Sequence, residues 1–224
     1  MIVNLTDGKM LTILFGGVGD LRPVRDLVLA AMFAALTAVG AWLTLSLPVL
    51  TTVPFTLQTL FVVLSGLLLG ARYGFFSQLL YLGLGVAGIP VFSGFHAGPA
   101  WLLGPTGGYL LSYPLAAALT GAVAGRGEAG GPRLSLAAAF GVATIYALGV
   151  SRLWFFLSGK AGHAMPLMVA VGQGMLPFVL PDALKAAVAV VVTLRARPLL
   201  RPTARLSPAV PERDLQASRR TAQR

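Results

Sequence analysis

The sequence predicts an all-α, polytopic membrane protein with six transmembrane helices and both termini in the cytoplasm. Three observations predict it. Of 224 residues, 56% are hydrophobic and 11% are charged, whereas a soluble domain carries about 25% charged residues. The apolar residues gather into six runs. The basic residues that bound those runs fall on alternate connections, the pattern produced by the positive-inside bias.

The first 24 residues stand apart as an N-terminal extension. Met10–Phe15 is an apolar run behind Lys9, too short to span and without an Ala-x-Ala cleavage site, so it is not read as a signal peptide. A poorly ordered or interfacial segment, or a start codon placed upstream of the true one, accounts for it. Residues 25–197 form the membrane domain. Val28–Leu47 is long enough to cross, since a span needs about 20 residues. Leu57–Leu69, with Phe55 as an alternative start, is the second run, and the Gly-containing Phe75–Ala87 is the third. Gly107–Val123, Leu134–Leu157 and Leu176–Leu194 complete the set. Periodicity does not separate helices from buried strands in such apolar runs; length and a bilayer setting favour helices.

Charge then orients the six spans. Arg22 and Arg25 precede the first, Arg72 lies between the second and third, and Arg126 and Arg133 lie between the fourth and fifth. Arg195, Arg197, Arg201 and Arg205 follow the sixth. With six spans these positions share one side, which is cytoplasmic by the positive-inside rule. Residues 48–56 and 89–105, on the opposite side, carry no Lys, Arg, Asp or Glu, and Lys160 is the single basic residue of the third outer connection. The tail 198–224 is rich in Arg, Pro, Ser and Ala, cannot bury a core, and is expected to be disordered in the cytoplasm.

Several function classes are disfavoured. The net charge of +10 sits largely at span ends and in the tail, which argues for lipid rather than nucleic acid. With no cysteine, disulfides and thiolate metal sites are excluded, and His96 and His163 lack metal-ligand spacing. No phosphate-binding loop, nucleophile elbow or H-E-x-x-H motif is present, so an enzyme is unsupported and no cofactor is expected.

The polar residues inside the apolar region are the candidates for function. Asp182 is the only acidic residue well inside it, and Lys185, three positions on, shares its helical face. Ionisable groups at membrane depth turn toward the protein interior or a wet cavity. The alternative is a carboxylate at a helix start with Lys185 as its ion-pair partner. In residues 51–59 the hydroxyls and Gln58 suit either a neutral polar ligand or capping of the second helix. In residues 88–109, glycines and prolines accompany Phe92, Phe95, Trp101 and Tyr109, which read as pocket walls or as an aromatic belt. Arg152 either snorkels to the interface or meets a ligand carboxylate. Ala30, Ala34 and Ala38, with Ala31 and Ala35 one step round, allow close approach of another helix.

Four stretches then carry a resemblance: Val53–Thr59, Gly66–Arg72, Gly88–Phe92 and Gly104–Tyr109. Their order and spacing, with Asp182 and Lys185, resemble the BioY family, the biotin-specific substrate-binding (S) components of energy-coupling factor (ECF) transporters. The likeness runs from the first span to the sixth and omits both tails. It implies a multi-pass protein of the bacterial cytoplasmic membrane that captures external biotin with high affinity. It also implies a transmembrane coupling subunit and two ABC-type ATPases as partners. Asp182 and Lys185 would then contact the ligand's ureido head, with Tyr109, Phe92, Gln58 and Arg152 as further ligand-binding candidates. Ala30, Ala34 and Ala38 would dock on the coupling subunit. Family members often read Pro-Gly before the Asp, whereas this chain reads Leu180-Pro181. An S component for another vitamin, and a membrane assembly subunit without a ligand, are the alternatives.

Overall fold

The computed structural model describes residues 22–46, 51–125 and 129–200, and in that part the chain is built from helices and short turns, with no named strand. Helix α1 runs Arg22–Trp42, α2 Gln58–Val86, α3 Ala100–Leu103, α4 Gly107–Ala124, α5 Gly131–Ala161, α6 Leu167–Gly174 and α7 Val179–Leu200. A 3-10 turn, Leu176–Phe178, joins the last two. Residues 1–21 and the tail from 201, which the sequence reading assigns to an extension and a disordered segment, lie outside the described residues. So do Leu47–Leu50 of the first connection and Arg126.

The second and third apolar runs form one helical stretch with a sharp reversal at Gly70, whose backbone (φ 77°, ψ −179°) only glycine adopts readily. The two arms lie side by side. Gln58 donates to the Tyr81 hydroxyl (2.7 Å) and Gln78 to Ser65 (3.2 Å). In a straight helix residues 58 and 81 would be about 35 Å apart. Arg72 and Tyr73 are helical because the turn needs a single residue rather than a loop. The other ends differ from the sequence reading in the same sense. Helix α1 begins at Arg22 and ends by Trp42, because Leu45 instead pairs backbone groups with Phe55 at 2.9 Å in both directions. Helix α5 extends beyond its apolar run at both ends, since Arg133 and Lys160 interrupt hydropathy without interrupting the backbone.

Among the described residues, four stretches are long and apolar enough to cross a membrane: Val24–Trp42, Gln58–Val86, Gly131–Ala161 and Leu167–Arg197. Small residues set how closely they pack. A Cβ on Gly66 would lie 2.4 Å from the Ala117 carbonyl, and one on Gly121 would lie 2.3 Å from the Ala71 nitrogen, so the hairpin and α4 touch backbone to backbone. A polar cluster ties α1 to the hairpin: Gln78 donates to Thr37 (3.2 Å) and Ser65, and all three are buried.

The two ends of the bundle differ in chemistry. At one end Arg197 donates to the Leu67 (2.8 Å) and Gly125 (3.1 Å) carbonyls, and Arg133 donates to the Val123 carbonyl (2.8 Å). These guanidiniums satisfy carbonyls at or near helix ends. Arg197→Met is expected to lower stability by about 1–2 kcal/mol and to speed amide exchange near residues 67–71 and 121–125. Thermal melts and hydrogen exchange would check this, and unchanged exchange there would refute it. The opposite end, built from the connections poor in charge, carries the cavity.

Candidate functional site

A cavity of about 340 Å³ opens among the connections at that second end, inside the ~300–1,000 Å³ range of small-molecule sites. Its walls come from almost every element. Thr51–Pro54 and Thr56 of the first connection form one side, and Phe92–Gly94 and His96 of the second form another. Gln58, Tyr109, Tyr113, Ile145 and Tyr146 project from α2, α4 and α5, and Asp182 and Lys185 from the first turns of α7.

The charged pair is made as its spacing suggested. Lys185 Nζ donates to Asp182 Oδ1 at 2.7 Å, and Asp182 is 3% exposed. Leu180-Pro181 is compatible with this geometry because Pro181 lies in the first turn of α7, where a helix leaves its N–H groups unpaired anyway. Tyr146 of α5 donates to the other carboxylate oxygen, Oδ2, at 2.7 Å. Both oxygens are thus engaged by donors, and each keeps lone-pair capacity for a further N–H. Among the described residues of the cavity wall, Asp182 and Lys185 are the only Asp, Glu, Lys or Arg.

Tyr109 lines the cavity and donates to the Gly174 carbonyl at 2.8 Å, tying α4 to the end of α6. The glycines around it explain the Gly104–Tyr109 motif. A Cβ on Gly107 would meet the Leu102 carbonyl carbon at 2.5 Å, and one on Gly149 would meet the Tyr109 ring. Phe92 is buried, packs on Gly85 and meets Tyr81 edge-on at 5.8 Å. Trp101 lines the cavity and packs against His96 with the rings tilted, their centroids 3.9 Å apart. Phe95 does not line it: it is 64% exposed and stacks on Trp42. Three of the four aromatics proposed as walls therefore face the cavity, and one faces out.

Gln58 faces the cavity with both ends of its amide held, accepting from Thr56 (3.0 Å) and donating to Tyr81. Thr51 is a strut between the first connection and α6, donating to the Gln173 carbonyl at 2.6 Å. Arg152 is not among the lining residues. Its guanidinium donates to the Leu103 carbonyl and its stem packs on Gly108, so it holds the second connection against α5.

The helix-one alanines need a correction. Ala30, Ala34 and Ala38 are 4%, 1% and 5% exposed. They face the bundle interior, so they are not a free docking surface. The reason is register: they share a face with Thr37 and Phe33, which the core takes. Ala31 and Ala35, one step round, are the small residues left exposed on α1.

Sequence reasoning missed Tyr146, Tyr113 and Ile145, which lie mid-helix in apolar runs and carry no motif. It also considered His96 only for its lack of metal-ligand spacing, whereas His96 lies in a loop that lines the cavity. Tyr113 was within reach, since it lies one turn beyond Tyr109 on the same face of α4. Tyr146 lies 36 positions from Asp182. Nothing local signals their contact. Among the described residues no group of His, Asp or Glu is arranged to hold a metal ion.

Known proteins resemble this chain in sequence and fold. The chain is similar to the probable biotin transporter BioY of Pyrococcus horikoshii, with 42% identity across 76% of this chain and 95% of that protein. It is similar to the biotin transporter BioY of Thermotoga maritima, with 40% identity across 79% of this chain and 98% of that protein. Its fold matches the 2.1 Å crystal structure of the S-component for biotin from an ECF-type ABC transporter, with a TM-score of 0.69 and 26% identity over 81% of this chain and 95% of that one. A family model described as "BioY family" matches residues 10–202. With that span matched, and with the helices and cavity described above, the chain belongs to the BioY family.

Proposed function

We propose that this chain captures biotin from outside the cell and is the S component of an ECF-type transporter. The observation that carries the reading is the Asp182–Lys185 pair, buried in the wall of a small, otherwise uncharged cavity in a member of this family. A cyclic urea presents N–H donors beside a carbonyl acceptor. Asp182 accepts from an N–H while Lys185, with two ammonium protons left over, donates to the carbonyl. Tyr109, Phe92 and Trp101 enclose the thioether ring. The carboxylate end is left to the hydroxyls of Thr44, Thr52 and Ser93 at the rim, and Arg152 acts by fixing the loop rather than by touching ligand.

In this reading the two arms of α2 cross separately, making six spans with α1, α4, α5 and α7. Arg25, Arg72, Arg133 and Arg195 lie on the cytoplasmic side with both termini, and the cavity faces outward across a cell membrane. The chain is not an enzyme and needs no cofactor; two ATPases act on it through a transmembrane coupling subunit. Docking uses the outward face of α1 at Ala31 and Ala35. Ala31→Leu with Ala35→Leu is expected to leave biotin binding by the isolated chain unchanged and to abolish uptake in cells that contain the partners. Normal uptake by that variant would remove this docking face.

The decisive experiment is calorimetric titration of biotin into the purified, ligand-stripped chain without partners. Binding near nanomolar, about −12 kcal/mol, is expected. A folded sample that ignores biotin, or prefers another vitamin, would overturn the assignment.

A further inference from the structure

Tyr146 and Asp182 line two cavities at once. Behind the ligand cavity lies a groove of about 750 Å³ on the outer side of the bundle, walled by α5, α6 and α7. Its surface is mostly alanine and valine, including the exposed Ala139, Ala143, Ala183 and Ala187. At mid-helix in a membrane protein such a groove faces lipid. Among the described residues, Tyr146 and Asp182 are the two that both linings share.

We propose that Tyr146 is a positioning residue for the ligand-reading carboxylate, holding Asp182 oriented into the cavity and shielding its Oδ2 from the groove. The inference rests on the biotin reading above. The two carboxylate oxygens have different neighbours: Oδ1 meets an ammonium and Oδ2 meets only the Tyr146 hydroxyl. A charged oxygen turned toward hydrocarbon without a donor is costly. Without the hydroxyl, the carboxylate must rotate toward another donor or draw water through the thin wall, and either change moves the acceptor that the ureido N–H meets. Tyr146 suits the task because its ring is rigid and its hydroxyl makes no other bond among those observed. Helix α5 thereby fixes the geometry of a group carried by α7.

The test is a double-mutant cycle in the full-length purified chain, with biotin affinity read by calorimetry. Wild type, Tyr146→Phe, Asp182→Asn and the double variant are compared. Tyr146→Phe should weaken binding about tenfold or more in the wild-type background, and by less than about twofold when Asp182 is already Asn. Equal losses in both backgrounds would make Tyr146 a packing residue only, and near-wild-type affinity of Tyr146→Phe would end the proposal outright. Wild-type affinity of Asp182→Asn would instead remove the ligand-reading site, and the role of Tyr146 with it. Should Tyr146→Phe fail to fold, Tyr146→Met, which removes the donor and keeps apolar bulk, enters the same cycle under the same criteria.

Discussion

Asp182→Asn is expected to weaken biotin binding by roughly 10- to 100-fold while the protein still folds. The substitution keeps shape and removes charge. The amide oxygen still accepts, but the amide nitrogen accepts nothing, so Lys185, Tyr146 and the ureido N–H compete for one acceptor atom where the carboxylate offered two. Breaking a fully buried ion pair costs about 3–5 kcal/mol of stability. Here the cost is smaller, because the Lys185 side chain is 12% exposed and faces a cavity that water can enter. Calorimetry alongside thermal melting separates the effects. If Asp182 and Lys185 are only a structural pair, melting temperature falls and the affinity of the folded fraction stays put. If they read ligand, affinity falls first. Pairing Asp182→Asn with Lys185→Gln removes the unpaired ammonium and should recover stability without recovering affinity.

The largest effect on folding is expected from Gly121→Val, far from the cavity. A Cβ there would lie 2.3 Å from both the Gly70 carbonyl carbon and the Ala71 nitrogen, at the turn of the α2 hairpin. No rotamer relieves a clash with backbone. The helices must separate, undoing the contacts of Gly66 with Ala117 and Thr120 that depend on the same crossing. Overpacking costs about 1–3 kcal/mol in a core able to shift; with two backbones in contact the upper end applies. The expected result is a sharply lower yield of monodisperse protein, with unchanged biotin affinity in what survives. A variant that expresses and melts like wild type would contradict the packing described at this crossing. Lost affinity in a stable variant would contradict the separation of the crossing from the site.

Much of the site was legible because its chemistry is conspicuous in an apolar chain. One carboxylate and one ammonium three positions apart announce themselves, and helical geometry puts them on one face without reference to the fold. The loop motifs were legible as loops, since Gly94 at φ 73° and Gly98 at φ 94° take conformations that favour glycine. Which side chains turn inward was less so: Phe92 and Trp101 face the cavity, whereas Phe95 faces out on Trp42. Arg152 drew attention as a charge, yet its partner is the Leu103 carbonyl in another segment. The helix-one alanines show the same limit. A 3.6-residue repeat identifies faces, but only packing chooses between Ala30-Ala34-Ala38 and Ala31-Ala35.

By itself the sequence determined the helical, membrane-embedded class, the asymmetry of charge between the two ends, and the spacing of Asp182 and Lys185. Each follows from local physics: hydropathy, the cost of buried charge, and the pitch of a helix. Tertiary structure alone decided that the chain reverses at Gly70, that Tyr146 donates to the Asp182 carboxylate, and that α1 turns one alanine stripe inward and the other out. Those outcomes depend on contacts between segments tens of residues apart, where many side chains could serve and backbone proximity selects one.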